Sequence, residues 1–129
     1  MSIASDVKTY ILTNATSITK MMEDNFGATN PALMVRSDPS TANEVEFIDG
    51  SYEGTQQLTF YARDSNPANA QAVLNLIRST IDKKEIALTG LQVLKVQSVS
   101  TVSYVSKEDT GEFIYSTTAD VAFYGKNPF

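Results

Sequence analysis

The chain has 129 residues, a hydrophobic fraction of 42% and a net charge of −5, which suits one domain with a real core and is a poor match for a phosphate-gripping surface. It contains no Cys and no His, which excludes disulfides, thiolate metal sites, His-based catalytic triads and most zinc chemistry. No apolar run reaches the ~20 residues of a membrane span, and Met1–Asp6 lacks the basic start and apolar centre of a signal peptide, so a cytoplasmic setting is expected.

The first predicted element is a helix from Ile3 to about Asp24. Ile3, Val7, Ile11, Ala15, Ile18 and Met22 recur at helical spacing, with Met22 expected in the core and Met21 outside it. Thr9, Thr13, Thr16 and Thr19 weaken its intrinsic propensity, so this helix depends on packing. Asn25-Phe26-Gly27 offers a stop. A turn-rich stretch follows, with Asn30-Pro31, Asp38-Pro39 and Asp49-Gly50 punctuating two short strands, Ala32–Arg36 and Glu44–Ile48. Gln56–Arg63 alternates as a third strand, Leu58, Phe60 and Ala62 inward and Gln57, Thr59, Tyr61 and Arg63 outward.

Asp64-Ser65-Asn66-Pro67 opens a second helix, with Asn66 as N-cap and Pro67 at the first helical position. Ala70, Val73, Leu74, Ile77 and Ile81 form its stripe, and it is expected to run to about Lys83. Ile86–Gly90 connects it to a long C-terminal β-hairpin with arms Leu91–Ser106 and Glu112–Gly125. The second arm alternates cleanly; in the first, Leu94 and Val96 share the parity of Val102 and Tyr104 while Leu91, Val93, Val99 and Val105 fall on the other, which a β-bulge near Gln97–Ser100 reconciles. Its Ser/Thr-rich middle and the tip Lys107–Gly111 lack an obvious core role. Each arm approaches ~50 Å at ~3.3 Å per residue, more than one domain of this size can cover, so part of the hairpin is expected to meet another chain.

The order α-β-β-β-α-β-β predicts a single two-layer α+β domain over 1–129, two helices packed on one face of a mostly antiparallel sheet. Ser5-x-x-Lys8 and Ser17-x-x-Lys20 match a serine-lysine spacing, but no Lys-Thr-Gly accompanies them. Asn14-Ala15-Thr16 is a glycosylation sequon by pattern only. Residues 1–64 hold the excess acid, 4 Lys/Arg against 9 Asp/Glu, and Glu44, Glu46, Asp49 and Glu53 are its densest cluster. These four are read as a solvated edge, or as an electrostatic surface facing a subunit or DNA. No catalytic, cofactor-binding or metal-ligating residue is expected, and the chain is not expected to be an enzyme.

Asp49-Gly50-Ser51-Tyr52-Glu53-Gly54, then the strand Gln57–Arg63, then Asp64-Ser65-Asn66-Pro67 opening an Ala-rich helix before a closing hairpin, resemble the tail terminator or minor capsid proteins of long-tailed bacteriophages, especially those of Gram-positive hosts. The resemblance covers most of the chain. It implies a structural virion protein forming a homo-oligomeric ring, in the family's six-fold form, that caps the tail tube, stops its polymerisation and offers a head-joining surface. The implied partners are further copies of the chain, the tail tube protein and a head connector or neck protein, with neither sequence-specific nucleic-acid binding nor a membrane. The implied location is the virion tail or neck, after assembly in the host cytoplasm. Tyr61, Ser103, Lys107, Glu108, Asp109 and Tyr124 are the candidate interface, and Glu44, Glu46, Asp49 and Glu53 the candidate acidic lumen. Two other readings stay open: a head-side neck or minor capsid protein, and a non-viral module binding a peptide or small ligand.

Overall fold

In the computed structural model, which describes residues 3–18, 20–23, 32–37, 43–46, 52–87 and 92–125, the elements are α1 (Ile3–Asn14), β1 (Met22–Glu23), β2 (Ala32–Ser37), β3 (Asn43–Glu46), β4 (Tyr52–Asp64), α2 (Pro67–Ile81), β5 (Glu85–Ala87), β6 (Gln92–Val99), β7 (Ser103–Lys107) and β8 (Phe113–Gly125). The strands form one sheet in the order β1-β2-β4-β8-β6-β5, with β3 also on β4 and β7 also on β8. All pairings are antiparallel except β1 with β2. The architecture is two-layer α+β, as the element pattern predicts.

Its axis is the pair β4–β8, in register from Tyr52↔Gly125 to Asp64↔Phe113, ~40 Å at ~3.3 Å per residue. Each flank of this pair is shared by two shorter strands. β3 lies against the first part of β4 and β2 against the second; β6 lies against Ala119–Gly125 and β7 against Phe113–Ser116. The C-terminal hairpin is therefore long, but its first arm comes in two pieces. A register shift between Val96 and Ser98 lets both Val96 and Val99 pack toward the core, which resolves the irregular alternation.

Ser100 bridges the interruption between β6 and β7. Its N–H donates to the Thr118 carbonyl at 2.8 Å, and its Oγ accepts from the Thr118 N–H at 2.9 Å. The Thr117 hydroxyl donates to the Ser100 carbonyl at 2.7 Å. The expectation that the Ser/Thr-rich middle has no core role fails at Thr117, which is 1% exposed. Its hydroxyl is satisfied by the irregular backbone opposite it, so burial leaves no orphaned donor.

Both helices cover the same sheet face. Val7, Ile11, Ala15, Ile18 and Met21 join Ala70, Leu74, Ile77 and Ile81, over Val35, Leu58, Phe60, Ala62, Val96, Ala119, Val121 and Phe123. At ~2 kcal/mol per fully buried large aliphatic or aromatic side chain, this layer is the main source of stability. Among the described residues no helix packs on the opposite face, where Ala32, Met34 and Thr59 are buried; Thr59 lies between its register partners Arg36 and Thr118.

α2 begins as its cap chemistry requires. The Asn66 Oδ1 accepts from the Ala68 N–H at 3.0 Å, and the Asp64 Oδ1 accepts from the Asn66 N–H at 2.9 Å. It ends at Ile81, two residues short of the expected Lys83, because Asp82 leaves helical geometry with a ψ of 120°, and Lys83 follows with a left-handed φ of 57°.

The first helix is shorter still, stopping at Asn14. The side chains of Thr13 and Asn14 bond back to the carbonyls of Thr9 and Tyr10, and Ile18 closes a turn onto Ala15. Polar residues that satisfy the backbone locally compete with helix propagation. Ala15 and Ile18 are buried nonetheless, without being helical. Met21 is buried at 4%, whereas Met22 is only half-buried on β1, the reverse of the expectation, because the chain has left the helical phase. The Lys8–Glu23 ion pair at 3.2 Å spans α1 and β1. Ile86 and Ala87, expected within the connection Ile86–Gly90, belong to the edge strand β5 on β6, and β4 starts four residues before Gln56. Asn25-Phe26-Gly27 and the end of the strand expected over Glu44–Ile48 lie outside the described residues.

Candidate assembly surface

The candidate surface has two parts, both at the end of the sheet where β4 finishes and β8 starts. The first is the tip of the β7–β8 hairpin. β7 pairs with β8 on one side, and its other edge is unpaired among the described residues. Tyr104 is 58% exposed and Val105 45%. Large apolar groups on an open edge strand are the feature that monomeric proteins usually avoid.

The tip is well built. The Glu108 N–H donates to the Glu112 carbonyl at 2.8 Å and the Gly111 N–H to the Glu108 carbonyl at 2.9 Å. Gly111 adopts a φ of 101°, where a side chain is strained. The Thr110 hydroxyl donates to the Glu112 carboxylate. That bond, with help from the Glu112 backbone and the Arg63 charge, holds the Glu112 carboxyl below its ordinary range. The Lys107 ammonium lies 5.2 Å from the Phe113 ring centre, and Tyr104 meets Tyr115 edge-on at 5.7 Å. The hairpin thus presents Tyr104 and Val105 from a braced support.

The second part is a cleft of about 380 Å³ between the turn after α1, the β1–β2 margin, the end of β4 and the first turns of α2. Ile18, Met22, Leu33 and Val73 supply its apolar lining, and Lys20, Arg63, Asp64 and Asn69 its polar lining. Asp64 is already engaged with the α2 cap. Lys20 is exposed. A smaller depression of about 200 Å³ lies at Asn75, Arg78, Ser79, Asp82 and Val99, where the Arg78 guanidinium donates to Asn75.

Lys107, Glu108 and Asp109 lie at the hairpin tip, whereas Ser103 is at the other end of β7, paired with Ser116. Tyr61 is elsewhere, on the helix-free face, where Arg36 donates to its hydroxyl at 2.9 Å and lies 5.3 Å from its ring centre; this tyrosine is already capped. The side chains of Tyr124, Glu44, Glu46 and Glu53, and all of Asp49, lie outside the described residues. Tyr104 and Val105, read from the sequence only as strand residues of the hairpin, and the cleft were not among the expected interface residues. The interrupted pattern around Val102–Val105 is the signal for the first two. The cleft has none, since four distant segments build it.

Among the described residues no three acidic side chains gather as a metal site, and no helix is long and apolar enough to cross a membrane. No protein-family model matches the chain, and no curated protein matches it.

Proposed function

We propose that the protein is a structural virion component, a tail terminator whose copies form a closed, six-fold ring on the tail tube, halting its polymerisation and offering a surface to the head connector. The observation that supports this reading most is the braced hairpin with Tyr104 and Val105 on an unpaired edge, a surface built for protein contact. It adds to the resemblance carried by Asp49–Gly54, Gln57–Arg63 and Asp64–Pro67. A ring requires a heterologous interface that closes on itself, and an exposed edge on one margin of the sheet provides half of one. Glu44, Glu46, Asp49 and Glu53 are assigned to the lumen, where their charge repels passing DNA.

The test is to remove Ser103–Phe113, joining Val102 to Ile114 through a short turn, and to image the protein with tail tubes by negative stain. The expected result is a folded protein that neither forms rings nor caps tubes, against a parent that does both. A shortened protein that caps normally, or a parent that leaves tube length uncontrolled, overturns the assignment.

A further inference from the structure

We infer that the cleft beside α2 is the receptor for the hairpin tip of a neighbouring copy, so that Tyr104, Val105, Glu108 and Asp109 of one chain dock on Ile18, Lys20, Met22 and Val73 of the next. This rests on the oligomeric reading above and names its interface.

Three observations carry it. The first is position. Ala62, Arg63 and Asp64, which line the cleft, are the register partners of Tyr115, Ile114 and Phe113, the residues at the base of the tip, so cleft and tip share one end of the sheet. At that end the strands run β1-β2-β4-β8-β7, and the tip belongs to one margin while the cleft lies toward the other. Four spacings of ~4.8 Å separate the margins by ~19 Å. Because β7 is held in the sheet by β8, a chain's own tip runs alongside its cleft and does not enter it. A laterally displaced second copy places its tip there, and the contact is heterologous, as a ring or filament requires.

The second observation is charge. The tip carries Glu108, Asp109 and Glu112 against Lys107 alone, and Lys107 is engaged over Phe113. The cleft presents the exposed Lys20 and lies against the first turns of α2, whose N-terminal end favours negative charge. The third is polarity. Tyr104 and Val105 are exposed large hydrophobics, and the cleft offers an apolar lining of Ile18, Met22, Leu33 and Val73 of a size to receive them.

The absence of cysteine makes the test clean. Single-cysteine chains Val105→Cys and Met22→Cys are mixed in oxidised glutathione, with Val105→Cys plus Lys95→Cys, an exposed position on β6, as control. A disulfide needs Cα atoms within ~7 Å, so the first pair is expected to cross-link about tenfold faster than the control. In low salt, Lys20→Glu is expected to slow that reaction about fivefold, and Asp109→Lys in the same chains to restore it. Cross-linking no faster than the control overturns the inference. So does indifference to Lys20→Glu, or a Met22→Cys thiol that no small reagent reaches because the chain's own residues fill the cleft. Lys20→Glu chains that still ring and cap tubes normally remove this interface and leave the terminator reading standing. Specific cross-linking by a protein that never caps tubes does the opposite.

Discussion

Thr117→Val tests the bridge at Ser100, because it deletes one hydroxyl without opening a cavity. Thr117 is buried, and its hydroxyl donates to the Ser100 carbonyl at 2.7 Å. A satisfied internal hydrogen bond is worth ~1 kcal/mol net, and Ser100 is exposed enough for water to take over its carbonyl. The expected loss is therefore about 1 kcal/mol, seen as a drop of ~3–5 °C in Tm at this chain length.

Ser100→Ala acts on the other side of the bridge. It deprives the Thr118 N–H of its acceptor, and Thr118 is half-buried, so a loss of ~1–2 kcal/mol is expected. The two hydroxyls are 3.4 Å apart, so the double variant is expected to lose ~0.5–1 kcal/mol less than the sum of the singles. Urea unfolding reads all three, with Ser103→Ala, on the exposed stretch of β7, staying within ~0.5 kcal/mol of the parent. A Thr117→Val protein as stable as the parent refutes the reasoning, because the interruption would then be held by the strand ladder alone.

Leu74 is fully buried under the sheet, and Leu74→Ala is expected to cost ~3 kcal/mol in urea unfolding, the range for a cavity that collapses only partly; less than ~1 kcal/mol would mean that α2 packs loosely. Lys83 holds a left-handed φ of 57° after α2, where glycine is free of strain, so Lys83→Gly is expected to raise stability by ~0.5–1 kcal/mol, checked by thermal melting. Burial pushes the Asp6 carboxyl above its ordinary range, and its buried Oδ2 has no hydrogen-bond partner among the described residues. The folded state then holds this proton more tightly than the unfolded one, so the Asp6 contribution falls as pH rises from the ordinary carboxylate value through the raised one, and is level above it. Asp6→Asn is expected to lose less stability than the parent between pH 4 and pH 7; losing more would show a favourable carboxylate contact.

What could be read ahead of the structure was what is local. The cap at Asn66, the stripe from Ala70 to Ile81 and the alternation of Leu58, Phe60 and Ala62 depend on neighbours a few residues away, and all stand. The first helix was overextended because the four-residue spacing through Ala15 and Ile18 marks burial, which an irregular turn delivers equally well. Tyr52–Thr55 shows no apolar alternation and is a strand because β3 and β8 flank it, a case of tertiary context overriding propensity. β1 and β5 are two and three residues long and exist only through partners elsewhere. The hairpin tip was legible from its turn residues. The cleft was not, since no single segment carries its shape.

The pairing of β4 with β8 also bears on how the chain finds its fold. The two strands meet across sequence separations of about 50 to 70 residues, so the central ladder closes large loops and forms late. The hairpins β3–β4 and β7–β8 need only short connections and form on the microsecond scale. Until β8 arrives, β4 carries β3 or β2 on one edge and nothing on the other. The long strand that ends as the most protected part of the sheet is, during folding, its most adhesive.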